Sequence, residues 1–185
     1  MKNAVVMTAV AGLAAAASAQ SVQLNFSADA SEINVGDTVN WTVSAAFTGL
    51  SATGYFGGFV GSFLASDAGL GDAGNFSNLM AGEGVPATAA GADVNDINVF
   101  NSALLGTDDQ SIGDFYTFSV TATAEGILEY SAVGVATLFN SDFIFDPAIE
   151  FSQFEVVSDR VSIVPAPGAA ALLGLGGLVA TRRRR

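Results

Sequence analysis

The chain has 185 residues, of which 18 are Asp or Glu and 6 are Lys or Arg, so its formal net charge is −12. This length suggests one domain with short appendages. Because the sequence contains no Cys and no His, it excludes a Ser-His or Cys-His nucleophile pair, a zinc site with His or Cys ligands, and a disulfide framework.

The basic residues are concentrated at the two ends of the chain. They are Lys2, Arg160, Arg182, Arg183, Arg184 and Arg185. All 18 acids lie between Asp29 and Asp159, so the body between the ends carries one Arg against 18 acids, a charge of −17. We expect no nucleic-acid partner, because proteins bind phosphate backbones mainly through Lys and Arg.

Residues 1–19 predict a signal peptide. Lys2 gives a positive start, Ala4–Ala17 is an apolar run, and Ala17-Ser18-Ala19 fits the pattern that signal peptidase cleaves. We therefore expect signal peptidase to cut between Ala19 and Gln20. The alternative interpretation is an ordinary buried helix.

Residues 20–163 predict a domain of alternating β-strands. Apolar and polar residues alternate over 22–26 and again over 33–47, the latter across a Gly36-Asp37 turn. The second of these segments is rich in β-branched and aromatic residues. Trp41 lies in phase with its apolar face, which predicts a core position.

The middle of the body is less regular. Residues 54–63 hold aromatic side chains among glycines and predict a strand with bulges or close packing. Residues 66–91 are dominated by Gly, Ala, Asp and Asn and predict a long loop, with a short helix around Asn75–Met80. For the segment 96–105 the pattern leaves strand and helix open.

Two later segments predict a hairpin. Residues 116–122 alternate strictly, and Glu125-Gly126 predicts a short turn. Residues 127–139 alternate again, but their second face is partly apolar, which predicts a central strand. Residues 157–163 predict the closing strand.

Residues 164–185 predict a membrane-sorting tail. Val164-Pro165-Ala166-Pro167 precedes the apolar run Ala169–Ala180, and Arg182, Arg183, Arg184 and Arg185 close the chain. A helix from Ala166 to Thr181 would extend roughly 24 Å, somewhat less than the ~20 residues of a comfortable transmembrane helix. The arginines would stay on the cytoplasmic side of the membrane.

This tail resembles the PEP-CTERM sorting signal of exported bacterial proteins, as a Pro-Ala-Pro variant in which Ala166 stands where the family usually has Glu. The resemblance implies an exosortase-type enzyme that cuts near Pro165 and Pro167. It also implies transient anchoring in the inner membrane of a Gram-negative bacterium, followed by display at the cell surface or release into an extracellular matrix that contains polysaccharide. The alternative is an uncleaved C-terminal anchor.

Many short strands and few helix signals predict an all-β, antiparallel β-sandwich, flanked by an N-terminal signal helix and a C-terminal hydrophobic helix. The segment Ile33–Val39 resembles the first strands of cohesin-like and other immunoglobulin-like surface modules, and the segment 118–127 resembles their paired strands. This resemblance implies a fold and assigns no partner.

Acidic clusters in predicted loops offer the oxygen ligands that calcium prefers. The candidate calcium ligands are Asp93, Asn95, Asp96, Asp108 and Asp109. Asp67, Asp72 and Asn75 form a further cluster. The alternative is solvated turns, because Asp and Asn side chains favour turn conformations. No other cofactor is expected.

The composition and the two processed ends favour a non-enzymatic, surface-displayed protein with a structural or adhesive role. A calcium-dependent carbohydrate- or protein-binding module is the alternative, and a glycan hydrolase with paired carboxylates is a remote one. A glycan-binding surface would use exposed aromatic residues. Tyr55 and Phe56 are the candidates, although Phe normally fills a core.

Overall fold

A computed structural model of the chain describes residues 21–48, 54–80, 87–100, 113–140 and 149–168. In these ranges the chain forms thirteen β-strands and one short 3₁₀ helix, Ala68–Leu70. The strands are β1 Ser21–Ala28, β2 Glu32–Asn34, β3 Thr38–Thr48, β4 Gly54–Ala65, β5 Gly71–Asn78, β6 Thr88–Ala90, β7 Asp93–Phe100, β8 Gly113–Ala122, β9 Gly126–Leu128, β10 Tyr130–Asn140, β11 Ile149–Phe151, β12 Glu155–Ser158 and β13 Val161–Val164.

The strands form two five-stranded sheets and one small sheet. The first sheet has the order β12-β1-β3-β8-β5, the second β11-β10-β4-β7-β6, and the third β2-β13-β9. The predicted all-β sandwich is thus confirmed. The predicted N-terminal helix lies outside the described ranges, and of the predicted C-terminal helix only residues 166–168 are described, of which 167 and 168 are helical. Within the described ranges no helix is long and apolar enough to cross a membrane.

Strict alternation explains why the first and second sheets pack face to face. Val22, Leu24 and Phe26 of β1 are buried while the residues between them are partly or fully exposed. The same period holds along β3, whereas β8 interrupts it at a bulge, where Phe115 and Tyr116 are both buried. Burying one face of each sheet removes apolar surface from water, which is the main favourable term in folding.

Tyr130 joins the two large sheets at the centre of the core. Its ring lies 4.9 Å from that of Trp41, 5.0 Å from that of Phe118 and 5.7 Å from that of Phe26, all of which belong to the opposite sheet. Its hydroxyl donates a 2.7 Å hydrogen bond to the carbonyl of Ala92. Burial raises the pKa of the Tyr130 hydroxyl far above its ordinary value.

Trp41 lies in the core, as the sequence predicts, with no exposed surface. Its ring stacks on that of Phe118 at a centroid distance of 6.3 Å. The indole Nε1–H has no hydrogen-bond acceptor. Aromatic packing therefore holds this side chain, at the cost of leaving one buried donor unsatisfied.

The predicted hairpin between residues 116–122 and 127–139 is wrong. β8 pairs with β3 and β5 in the first sheet, whereas β10 pairs with β4 and β11 in the second. The turn at Glu125-Gly126 carries the chain from one sheet towards the other through β9. Alternation shows which side chains face inward, but it does not say which strand is the neighbour. Of the predicted central strand 127–139, residues 130–139 lie in β10, which has a neighbour on each side, whereas Ile127 and Leu128 belong to β9 of the small sheet.

The glycine-rich segment is a strand, as expected, and β4 lies at the centre of the second sheet. The predicted loop over 66–91 is wrong, because it contains the 3₁₀ helix, β5 and β6. The predicted helix at Asn75–Met80 is also wrong, since β5 runs to Asn78. β5 pairs with β8 through backbone groups, which need no β-branched side chains. The segment 96–105 is strand as far as Phe100.

The predicted closing strand is two strands in different sheets. β12 runs parallel to β1, and β13 runs parallel to β2 and antiparallel to β9. At the break, the backbone N–H of Asp159 donates to the Phe26 carbonyl at 2.9 Å, and the Asp159 carboxylate accepts from the Ala28 N–H at 3.0 Å. The two parallel pairings are a departure from the purely antiparallel sandwich that the sequence predicts.

Candidate functional site

The outer face of the second sheet carries an apolar patch, formed by the exposed side chains of Val60, Phe100 and Val133 and the half-buried Val135. Val60 is 55% exposed, Val133 is 59% exposed and Phe100 is 44% exposed. Val60 of β4 pairs directly with Val135 of β10. The apolar patch therefore spans three adjacent strands, β10, β4 and β7.

A glycine makes room for the aromatic member of the apolar patch. Gly58 of β4 pairs with Phe100 of β7. A Cβ added at Gly58 would lie 2.3 Å from the carbonyl oxygen of Val99 and 2.9 Å from the Cα of Phe100, closer than real Cβ atoms come. With φ at +154°, Gly58 also has a backbone conformation that other residues rarely adopt. The glycine thus permits the close strand approach that places Phe100 beside β4.

The rim of the apolar patch is polar, and its carboxylates lie at the margin. The strand partners of its members include Ser62, opposite Val133, and Asn98, opposite Val60. Among the described residues, the nearest charges are Asp96, which lies in the β7 bulge beside Ser62, and Glu150 on the edge strand β11. An uncharged apolar centre with a polar rim is the usual anatomy of a protein interface.

The first candidate calcium cluster lies along β7, where its carboxylates are already bonded to the protein. Asp93 Oδ1 accepts the Ala65 N–H at 2.8 Å, and Asp96 Oδ2 accepts the Thr88 hydroxyl at 2.6 Å. Asp96 has a φ of +58° at the bulge, beside the partly exposed Asn95. These contacts stabilise a sheet irregularity, as bulges commonly require.

The other candidate ligands do not converge on this cluster. Asp108 and Asp109 lie outside the described residues. Asp67 accepts the Gly69 N–H at 2.8 Å and caps the 3₁₀ helix, while Asp72 and Asn75 lie on β5 in the opposite sheet. Within the described ranges no group of three or more acidic residues is placed to hold a metal ion. Calcium binding through Asp108 and Asp109 stays a prediction.

The predicted stacking platform at Phe56 is wrong. Phe56 is 3% exposed and packs on Phe115 at 4.8 Å and on Phe47 at 5.8 Å between ring centroids. The core interpretation of this phenylalanine is therefore confirmed. The side chain of Tyr55 is outside the described part of the structure.

The predicted processing residues fall mostly outside the described ranges. Ala17, Ala19, Gln20, Arg182, Arg183, Arg184 and Arg185 are among those outside. Pro165, Ala166 and Pro167 are described and directly follow β13, whose last residue, Val164, accepts the Val35 N–H at 2.9 Å. The exposed prolines therefore directly follow β13.

The sequence prediction did not find the apolar patch, although it contained a signal for it. Val133 and Val135 give 127–139 a second apolar face, which by itself indicates a central strand. Val60 is a single valine in a glycine-rich segment. Its exposure becomes visible only when β4 and β10 are paired.

Comparison with solved structures shows what this architecture resembles. The chain is similar to the seventh ScaB type I cohesin from Pseudobacteroides cellulosolvens, with a TM-score of 0.54 and 14% identity over 79% of this chain and 94% of that one. It is similar to a type II cohesin–X–dockerin complex from Acetivibrio cellulolyticus, with a TM-score of 0.52 and 15% identity over 77% and 99% of the two chains.

A cohesin module from a family 33 glycoside hydrolase of Clostridium perfringens is also similar, with a TM-score of 0.50 and 13% identity over 77% and 98% of the two chains. The body has a cohesin-like β-sandwich fold. This agrees with the resemblance noted for residues 33–39 and 118–127. No protein-family model matches the chain, and no curated protein matches it in sequence.

Proposed function

We propose that the cohesin-like body is a non-enzymatic protein-binding module with a structural or adhesive role, and that it holds its partner on the apolar patch. The observation that carries this proposal is the exposure of Val60 and Val133 in the middle of a strongly acidic body. Contiguous exposed apolar surface is uncommon on monomeric proteins unless it is used for binding. Five strands at ~4.8 Å spacing give a face about 20 Å wide, a suitable width for one side of a standard interface.

A protein is the class of partner that best fits such a surface. The similar type II cohesin from Acetivibrio cellulolyticus was crystallised in complex with a dockerin. At 15% identity, the partner of that cohesin does not transfer to this chain. We therefore infer a polypeptide partner without assigning it to the dockerins.

The apolar patch can be tested by site-specific photo-crosslinking in the cells that produce the protein. A photoreactive phenylalanine analogue at Val60 should give a discrete protein adduct, because this position lies at the centre of the proposed interface. The matched control is the same analogue at Val157, which is 49% exposed but lies on the first sheet. Adducts are resolved by gel electrophoresis and identified by mass spectrometry.

A second substitution makes the crosslinking result specific. Phe100→Ala should abolish the adduct formed at position 60, because truncating a half-exposed aromatic anchor removes a dominant contact of an interface. Absence of an adduct at position 60, or equal adducts at positions 60 and 157, would contradict the proposed function. So would an adduct that persists undiminished in the Phe100→Ala background.

We also propose that both ends of the chain are processed and that the body is displayed at the cell surface or released into the extracellular matrix. Signal peptidase would remove residues 1–19, and an exosortase-type enzyme would act at Pro165-Ala166-Pro167 after the tail has anchored the protein in the inner membrane. A cut C-terminal to Val164 keeps β13 paired with β2. The buried side chains of Val161 and Ile163 would stay in the core.

Intact-mass spectrometry of the protein isolated from the cell surface tests this processing. We expect a chain that begins at Gln20 and lacks the arginine run. A surface protein that still ends at Arg185 would contradict exosortase-type processing. It would instead support the uncleaved anchor.

A further inference from the structure

The exposed members of the apolar patch lie on a diagonal across the second sheet. Val133 of β10 is opposite Ser62 of β4, Val60 lies two residues before Ser62, and Phe100 of β7 is opposite Gly58. Each step from Val133 to Val60 to Phe100 therefore moves one strand across and two residues along. At the usual strand spacing and rise, this apolar diagonal is roughly 16 Å long.

Two exposed carboxylates flank the apolar diagonal, one on each side. Glu150 of β11 pairs with Thr137 of β10, in the row of the sheet that ends at Phe100. Asp96 lies in the β7 bulge, close to the row of Val133. Alternation along the strands places both acids on the outer face, with the diagonal between them. Three strand spacings and about four residues separate them, which amounts to roughly 20 Å.

The body has no basic side chain left to neutralise these two acids. Between Lys2 and Arg182 the sequence contains a single basic residue, Arg160. Its Nε is paired with Glu129 Oε1 at 2.6 Å. The hydrogen bond that Asp96 accepts comes from a neutral hydroxyl and leaves its charge in place. The negative potential on both flanks is therefore uncompensated from within the body, and the total charge of −17 reinforces it.

We propose, on the basis of the protein-binding function proposed above, that the partner of the apolar patch is a cationic polypeptide segment. Its apolar side chains cover the apolar diagonal, and Lys or Arg on each flank faces Asp96 or Glu150. Burial of the valines and of Phe100 supplies affinity, because it removes apolar surface from water. The flanking charges supply selectivity and a faster association. A second copy of this body is repelled, since it brings the same acids and a charge of −17.

Selection from a phage-displayed library of random peptides tests the sign of the partner. The library is selected on the protein purified from the cells that produce it, and peptides that also bind the Val60→Ser variant are discarded. We expect the remaining, patch-dependent peptides to be enriched in Lys and Arg beside apolar residues. No enrichment of basic residues, or no patch-dependent peptide at all, would overturn the cationic partner. Val133→Ser replaces Val60→Ser if thermal melts show that variant to be unstable.

Isosteric neutralisation shows whether the two flanking acids are responsible. The double variant Asp96→Asn with Glu150→Gln keeps an oxygen acceptor for the Thr88 hydroxyl, and Asn tolerates the φ of +58° at position 96. It should weaken binding of a selected basic peptide about fivefold, as expected for two exposed ion pairs. The matched control, Asp72→Asn with Glu155→Gln, changes the net charge equally on the first sheet. It should weaken binding less than about twofold.

Fluorescence anisotropy with the labelled peptide measures these affinities at low and high salt. The difference between the unaltered protein and the flank variant should shrink as NaCl is raised, because salt screens exposed charges. Equal losses in the flank variant and in its first-sheet control would assign the effect to the overall charge and overturn the proposed contacts. A difference that persists undiminished at high salt would also contradict them.

The crosslinking experiment at position 60 separates the sign of the partner from its existence. If the adduct forms there but the patch-dependent peptides are not basic, the protein-binding function stands and the cationic partner is overturned. If no adduct forms at position 60, the proposed function fails, and the cationic partner fails with it whatever the peptides show. An adduct together with basic, flank-dependent peptides supports both.

Discussion

At the scale of single residues, Asp37 shows how one side chain fixes a turn. Its Oδ2 accepts the backbone N–H of Asn34 at 3.0 Å and the Nδ2 of Asn34 at 2.8 Å. Gly36 between them has a φ of +97°, which glycine adopts without steric cost. The Gly36-Asp37 pair predicted this turn from the sequence, because both residue types favour turns for local reasons.

The hydrogen bonds from Asn34 lower the pKa of the Asp37 carboxyl below 3.8, the side-chain bond being the larger cause. A lowered pKa means that this carboxylate contributes stability above its ordinary pKa, and the contribution is lost as the pH falls through the lowered value. We expect NMR titration to give a pKa below 3.8 for Asp37. Asn34→Ala should return it towards that value, and an unchanged pKa in this variant would contradict the assignment.

At the scale of elements, a glycine pair sets the approach of the two central strands beneath the apolar patch. Gly61 of β4 pairs directly with Gly134 of β10. A Cβ at Gly61 would lie 2.2 Å from the carbonyl oxygen of Val133, and one at Gly134 would lie 2.2 Å from that of Val60. These strands can pair closely only because both positions lack a side chain.

Gly134→Ala should therefore destabilise the body by about 1–3 kcal/mol, the usual cost of forcing an extra methyl group into a packed site. Its φ of +156° adds backbone strain for alanine. Gly74→Ala is the matched control, since a Cβ there meets nothing within 4 Å, and should change stability by less than about 0.5 kcal/mol. Urea unfolding measures both, and equal effects would contradict the close-approach explanation.

The strands themselves were largely predictable, whereas their partners were not. Alternation located β1, β3, β8 and β10 because each buries one face, and this signal is local in sequence. Pairing depends on residues far apart in the chain. β12, for example, pairs with β1 across more than 120 positions. β5 was missed because its Gly, Asp and Asn residues resemble a loop, although its backbone pairs with β8.

At the scale of the whole molecule, the fold places side chains of different polarity on the outer faces of the two large sheets. The apolar patch lies on the outer side of the second sheet, whereas the outward side chains of the first sheet are mostly polar, and a shared aromatic core lies between the two sheets. Acids such as Asp72 and Asp114 lie on the outer side of the first sheet, and Asp96 and Glu150 lie at the margins of the apolar patch. One body thus presents two chemically distinct surfaces, each of which can be altered by substitution without touching the other.

Burial of tyrosine is a further property of the whole core. Burial raises the pKa of Tyr116 to about 12. The neutral hydroxyl is therefore favoured in the folded state. Its contribution to stability is complete below the ordinary tyrosine pKa of about 10 and is lost as the pH rises through the raised value.

The sequence by itself determined the all-β class, the core position of Trp41 and the unequal division of charge. It did so because strand periodicity, side-chain hydrophobicity and charge are properties of neighbouring residues. Only the tertiary structure decided that β8 and β10 lie in different sheets, that Phe56 is buried and that Val60 is exposed. These features depend on which distant strand lies alongside, because pairing sets the register and thereby the contents of each outer face.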